Sequence, residues 1–156
     1  MSRQRPLDAA DRRLLNELQR NSRRSIAELA EAVGLTLQTC QRRLQAIRDS
    51  GLIVSEVVLV DPRLSPRPLT VIIEVTLERL NQATRRAFER KANAVPEIMQ
   101  CWAVSGVADY ILIAQVRDIE DYYVLVNEVF VDDDAIKSTR TAFGMGRTKF
   151  ETAIDF

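Results

Sequence analysis

The chain of 156 residues is interrupted by a segment that neither a helix nor a central strand can cross, and the spacing of apolar residues differs on its two sides. Up to about residue 50 the apolar positions recur at helical intervals. From Val71 to Leu77 they alternate. Between them lies Asp61-Pro-Arg-Leu-Ser-Pro-Arg-Pro68, with three prolines in seven residues. Proline fixes φ and has no backbone N–H, so it interrupts both kinds of hydrogen-bond ladder. The chain should therefore fold as two units. The expected domains are 1–60 and 70–156, with a linker at about 55–69. A unit of about 60 residues buries proportionally little surface, so each should lean on the other or on a partner chain.

The first unit reads as three helices. Residues 1–6 form a loose tail, and Asp8 caps a helix over about 9–20 with Ala10, Leu14, Leu15 and Leu18 on one face. Asn21 and Ser22 end it. Ser25-Ile-Ala-Glu28 has the form of a capping box, in which the serine oxygen and the glutamate each take up an otherwise unpaired amide. Ile26, Leu29, Ala30 and Val33 follow at i, i+3, i+4 and i+7, and Gly34 permits a tight turn. Thr36 caps a third helix to about Asp49, with Leu37, Cys40, Leu44 and Ile47 as its apolar seam. Leu52–Val60 is β-branched enough for strand, with a bend near Ser55-Glu56.

The second unit reads β-α-β-β-α-β. Strand is expected at 71–77, 99–105, 110–116 and 136–143, with an additional strand at 150–154. Asn81 caps a helix carrying Ala87, Phe88, Ala92 and Val95; Asp118 caps one carrying Ile119, Tyr122, Tyr123, Val126 and Phe130. This order is the ferredoxin-like split βαβ plan. The fold class is thus α+β, an N-terminal three-helix unit of helix-turn-helix form followed by a ferredoxin-like βαββαβ domain.

The formal net charge is zero but unevenly spread: residues 1–50 hold ten Arg and no Lys against six acidic residues, and the remainder twelve basic against sixteen acidic. A basic head on an acidic body suits a polyanionic partner. Histidine is absent, which removes the commonest general base and metal ligand and weighs against an enzyme. The two cysteines, Cys40 and Cys101, form no CxxC pattern, so neither a zinc site nor a disulfide framework is expected. No apolar run reaches the ~18 residues of a membrane span, and the first residues lack the apolar core of a signal peptide. A reducing cytoplasm is the expected setting. Asp132-Asp-Asp134 reads as a solvated turn, because consecutive carboxylates converge poorly on one ion. No cofactor and no metal are expected.

Two short helices joined by a glycine turn form a helix-turn-helix, whose second helix enters the major groove, where base edges carry a distinctive donor and acceptor code. At 100° per residue, Gln38, Thr39, Arg42 and Gln45 fall opposite the apolar seam. Glutamine matches adenine and arginine matches guanine in two-pronged geometry. Gln41, Arg43 and Arg48 flank this face at phosphate positions, with Arg12, Arg13, Arg23 and Arg24 extending the contact. The bland alternative is a small bundle with a solvated polar face.

Together, Leu7-Asp-Ala-Ala-Asp11-Arg-Arg-Leu-Leu15, Ser25–Leu35, Cys40-Gln-Arg-Arg-Leu44, Gly51-Leu-Ile53, Pro96-Glu-Ile-Met99, Cys101–Tyr110 and the late strand with Thr139 and Thr141 resemble the Lrp/AsnC (leucine-responsive/asparagine-responsive) transcription regulators. The resemblance spans nearly the whole chain. It implies a winged or plain helix-turn-helix, double-stranded DNA as a partner, a homodimer joined through the sheets, higher homo-oligomers, and an amino acid or related metabolite bound between dimers. It carries Ser105, Gly106, Val107, Ala108 and Asp109 over as effector-binding residues. By themselves those residues read rather as a hairpin turn with a self-capping aspartate, and it is the resemblance that favours the effector role. Two segments depart from the family pattern. Leu37-Gln-Thr39 replaces a Ser/Thr- and Pro-rich helix start, and Asp132–Ile136 replaces a Pro-Gly-Val turn. The expected function is a sequence-specific, effector-responsive regulator. The rival is an architectural protein that wraps DNA without a ligand.

Overall fold

The computed structural model describes residues 6–131 and 133–156; the start of the tail expected at 1–6, and Asp132 of the aspartate turn, lie outside them. The chain divides into two compact units, one made of residues up to Val58 together with Lys149–Phe156, the other of Leu59–Thr148. Residues 149–156, assigned to the second domain on sequence, thus cluster with the first.

The first unit contains α1 (Ala9–Arg20), α2 (Ile26–Val33) and α3 (Leu37–Asp49). Each begins at a side chain that satisfies orphan amides: Asp8 and Ser25 form capping boxes with Asp11 and Glu28, and Thr36 accepts from the Thr39 amide. Gly34 joins α2 to α3 at φ 72°, a conformation other residues adopt only under strain. The helices bury Leu14, Leu15, Leu18, Leu29, Ala30, Val33, Cys40, Leu44 and Ile47 in one core. Each full burial of a Leu, Ile or Val contributes about 1.5–3 kcal/mol. Leu37 departs from the expected seam and is exposed, since it sits in the first turn, beyond the reach of α1 and α2.

Leu52–Val60 is not a strand, and the described residues of the head carry no wing. Composition supplies β propensity, but a strand needs a second backbone to pair with, and the described residues of this chain offer none. A one-turn 3-10 helix, Pro62–Leu64, follows within the proline segment.

The second unit is built on β1 (Leu69–Leu77), α4 (Gln82–Ala94), β2 (Ile98–Ala103), β3 (Tyr110–Val116), α5 (Ile119–Val126), which continues as a π turn over Asn127–Val131, and β4 (Ile136–Phe143). The sheet order is β2-β3-β1-β4, with every neighbouring pair antiparallel. This is the order of the ferredoxin-like plan. Val71, Ile73, Val75 and Leu77 of β1, with Tyr110, Leu112, Ala114 and Val116 of β3, face a core completed by Phe88, Ala92, Leu125, Val129 and Phe130. Ile119 and Tyr123, expected on the inner side of α5, are exposed, while Tyr122 and Val126 pack against the core beside the buried Leu125 and the Val129 and Phe130 of the π turn. The opposite sheet face carries Ile72, Glu74, Ile111, Ile113 and Trp102, placed side by side by the register. No strand forms at 150–154. Its backbone partners are instead side chains of α1, described below.

Candidate nucleic-acid interface and effector loop

In the head, the core-facing side of α3 fixes its outward side. Cys40, Leu44 and Ile47 are buried, which leaves Gln38, Gln41, Arg42 and Gln45 exposed on the other half of the helix, and Thr39 half-buried at its edge. Gln38, Gln41 and Arg42 make no hydrogen bond or ion pair among the described residues. Thr39 is engaged locally, its oxygen accepting from the Thr36 hydroxyl at 2.9 Å, and Gln45 donates its amide to Asp49 at 2.8 Å.

The basic residues divide into two groups. Arg12, Arg13 and Arg23 are exposed, without an ion pair among the described residues. Arg24 pairs with Glu17, and Arg48 with Glu56 at 2.9 Å. Arg43 is committed furthest. One guanidinium nitrogen lies 2.6 Å from an Asp8 oxygen and 2.9 Å from an Asp11 oxygen, so α3 is bolted to the cap of α1. Asp11 is fully buried, and the Arg43 Nε is buried without a hydrogen-bond partner. The Asp11 amide and then the Arg43 guanidinium hold the Asp8 carboxyl down at about 2. A signal for this cluster stood in the sequence: at 100° per residue Arg43 lies only about 40° from Ile47, on the buried flank, and the head begins with two carboxylates one turn apart. Helix projection alone, which ranked Arg43 as a flanking phosphate contact, does not show what stands opposite it.

In the second unit, Ser105–Asp109 connects β2 to β3. The Val104 amide donates to the Asp109 carbonyl at 2.9 Å, and the Asp109 amide donates to the Val75 carbonyl at 2.9 Å. One Asp109 carboxylate oxygen accepts from the Leu77 amide at 2.8 Å, pinning the loop to the end of β1. Gly106 has φ 154°, outside the range comfortable for other residues, and a Cβ there would meet nothing within 4 Å. Ser105, Gly106 and Val107 are exposed, Ala108 is buried and Asp109 half-buried. Beside them the buried Tyr110 hydroxyl accepts from Arg85 at 3.3 Å and donates to Glu89 at 2.8 Å. Burial pushes the Tyr110 phenol up, and raises the Cys40 and Cys101 thiols as well. Among the described residues no group of three His, Cys, Asp or Glu side chains is placed to hold a metal; Asp133 pairs with Lys91 at 2.9 Å and caps the Ala135 amide.

Residues 7–48 match the model of the AsnC-type helix-turn-helix domain, and residues 70–154 match that of the Lrp/AsnC ligand binding domain. The chain belongs to the Lrp/AsnC family of transcriptional regulators. It is 35% identical over 147 residues to a leucine-responsive regulatory protein of Haemophilus influenzae, covering 94% of this chain and 89% of that one. The leucine-responsive regulatory protein of Escherichia coli K12 is 34% identical over 151 residues, covering 95% and 92%. Among solved structures, a Neisseria meningitidis transcriptional regulator in complex with L-Met has a TM-score of 0.89 at 28% identity, covering 96% of both chains. An AsnC family regulator from Agrobacterium tumefaciens has a TM-score of 0.88 at 29% identity, covering 95% of this chain and 96% of that one. This Lrp/AsnC regulator therefore joins a DNA-binding helix-turn-helix to a ligand-binding domain on the ferredoxin-like plan. No helix among the described residues is long and apolar enough to cross a membrane.

Proposed function

We propose that a homodimer or larger assembly of this chain reads duplex DNA with the outward side of α3 and responds to an amino acid bound at Ser105–Asp109. The observation carrying the DNA reading is that Gln38, Gln41 and Arg42 project side by side without partners among the described residues, while the reverse of the same helix is core. Gln38 and Arg42, with Thr39 and Gln45 beside them, reach base edges; Gln41, Arg12, Arg13 and Arg23 meet phosphates. Arg43, earlier ranked with the phosphate contacts, is better supported as the residue that sets the position of α3.

Two exposed apolar surfaces support self-association. Val54, Val57, Val58, Leu59 and Val60 are 61–94% exposed. Ile72, Ile111, Ile113 and Trp102 line the open sheet face, where Trp102 is 60% exposed. A second copy would cover both. Its head would occupy a half-site about 34 Å away, one helical turn along the duplex.

The L-Met complex of the neisserial relative supports an amino acid as effector. In the loop, the second Asp109 carboxylate oxygen suits an ammonium, and the exposed amides near Gly106 suit a carboxylate. To act as a switch, the amino acid must favour one assembly or head spacing over another. In this reading the protein works in the cytoplasm and by binding alone.

Mobility-shift titration of a selected operator against scrambled DNA tests the reading face. In the Gln38→Ala/Arg42→Ala double variant, discrimination between the two should collapse while binding to both persists. Unchanged discrimination refutes the assignment. A thermal-shift screen of amino acids should find at least one stabiliser. If none stabilises, the ligand-free architectural reading takes its place.

A further inference from the structure

The first unit is completed by a segment that arrives after the entire ligand-binding domain. The chain leaves this unit at Val58 and rejoins it at Lys149. What receives the returning segment is a pair of carboxamides on α1. Gln19 donates Nε2 to the Ile154 carbonyl at 2.7 Å, and its Oε1 accepts from the Ile154 amide at 2.8 Å. Asn16 does nearly the same two residues on: its Oδ1 accepts from the Phe156 amide at 3.2 Å, while Nδ2 donates to the Phe156 carbonyl at 3.4 Å and to the Asp155 carboxylate at 3.0 Å.

The spacings explain why this works. Side chains at i and i+3 of a helix stand about 5–6 Å apart. Alternate residues of an extended chain repeat every ~6.6–6.8 Å. Asn16 and Gln19 therefore meet residues 154 and 156 almost in step, each offering one donor and one acceptor as a neighbouring peptide group would. Leu14, Leu15 and Leu18 turn into the core, so the docking pair lies on the face of α1 that the three-helix core does not use. A helix cannot lend its own backbone to a passing strand; these two side chains replace it.

We infer that the Asn16/Gln19 face of α1 is a docking site for residues 154–156 of the same chain, which makes this segment a second tether on the DNA-binding head. The linker after α3 is one covalent connection between the head and the second unit. The segment after β4 is the other. Tension or slack introduced beyond Phe143 then reaches α1 without passing through the linker. The docking itself does not depend on the proposed DNA face; its consequence for regulation does rest on that reading.

The test uses the full chain, without DNA or amino acid, and follows amide hydrogen exchange. In the unmodified protein the Ile154 and Phe156 amides should be protected, to the same degree on dilution. In Asn16→Ala/Gln19→Ala both should exchange about tenfold faster or more, the loss expected when a few exposed hydrogen bonds are removed, with α2 and α3 unchanged. Exchange of residues 154 and 156 at free-peptide rates in the unmodified chain overturns the inference. So does protection that fades on dilution, which would assign the segment to another copy. A second arm measures DNA. Ending the chain after Glu151 should weaken binding to a two-half-site operator several-fold while leaving the salt slope in place, because the segment supplies no phosphate contact. An altered slope would mean that the segment touches DNA, and would overturn its role as a tether.

Discussion

At residue scale, the Asp8–Asp11–Arg43 cluster is where charge does structural work. Asp11→Ala removes the buried carboxylate of the cluster and leaves Arg43 with Asp8 alone, and removing one partner of a buried pair is far costlier than losing a surface bridge. We expect urea unfolding to show a loss of about 2–3 kcal/mol, below the upper range because Arg43 keeps Asp8 as a partner and some solvent contact. Arg43→Ala should also destabilise the head, yet move the salt slope of DNA binding by less than the ~0.9 per phosphate that a true phosphate contact removes. The Asp8 carboxyl, held at about 2 rather than 3.8, adds stability that is present above 3.8 and lost as pH falls through about 2. Urea midpoints across that window should fall less steeply for Asp8→Asn than for the unmodified chain. Arg43 also shows the limit of reading residues singly. Its angle on the helix was legible, but its partners belong to another helix.

At the scale of elements, the helices follow from local chemistry. Asp8, Ser25, Thr36, Asn81 and Asp118 were all legible as caps, and each accepts a backbone amide two or three residues on. Ser25→Ala should cost about 1 kcal/mol, with Ser25→Gly milder, measured as the change in unfolding midpoint at constant slope. Strands were legible only where partners exist within the chain. β3 and β4 occur over the residues that alternation predicts, 110–116 and 136–143. Leu52–Val60 and Phe150–Ile154 have comparable composition and form no strand. Propensity describes a residue's fit to a pleated surface, whereas a strand is a property of two backbones.

At the scale of the whole molecule, the apolar surface left uncovered is the feature to explain. Isolated exposed apolar residues are ordinary, but neighbouring ones on a sheet face or along seven residues of chain mark an interface. Glutamate at Trp102 and Ile72 together should shift sedimentation toward the monomer while the far-ultraviolet spectrum stays native. A dimer that persists would remove the sheet face from the proposed assembly. Because two heads on one duplex bind far better than one, the same variant should lose most of its affinity for paired half-sites.

The helix caps, the β-α-β-β-α-β order of the second unit, the polar side of α3 and the family were all contained in the one-dimensional pattern. They rest on periodicity and on interactions between residues a few positions apart, which a sequence displays directly. Which carboxylates Arg43 serves, that Asp109 spends one oxygen on the Leu77 amide, and that residues 154–156 lie against α1 were decided in three dimensions. Those contacts join residues 32 to 140 positions apart. Closing so long a loop is repaid only by the packing of everything between, and no local pattern of residues records that packing.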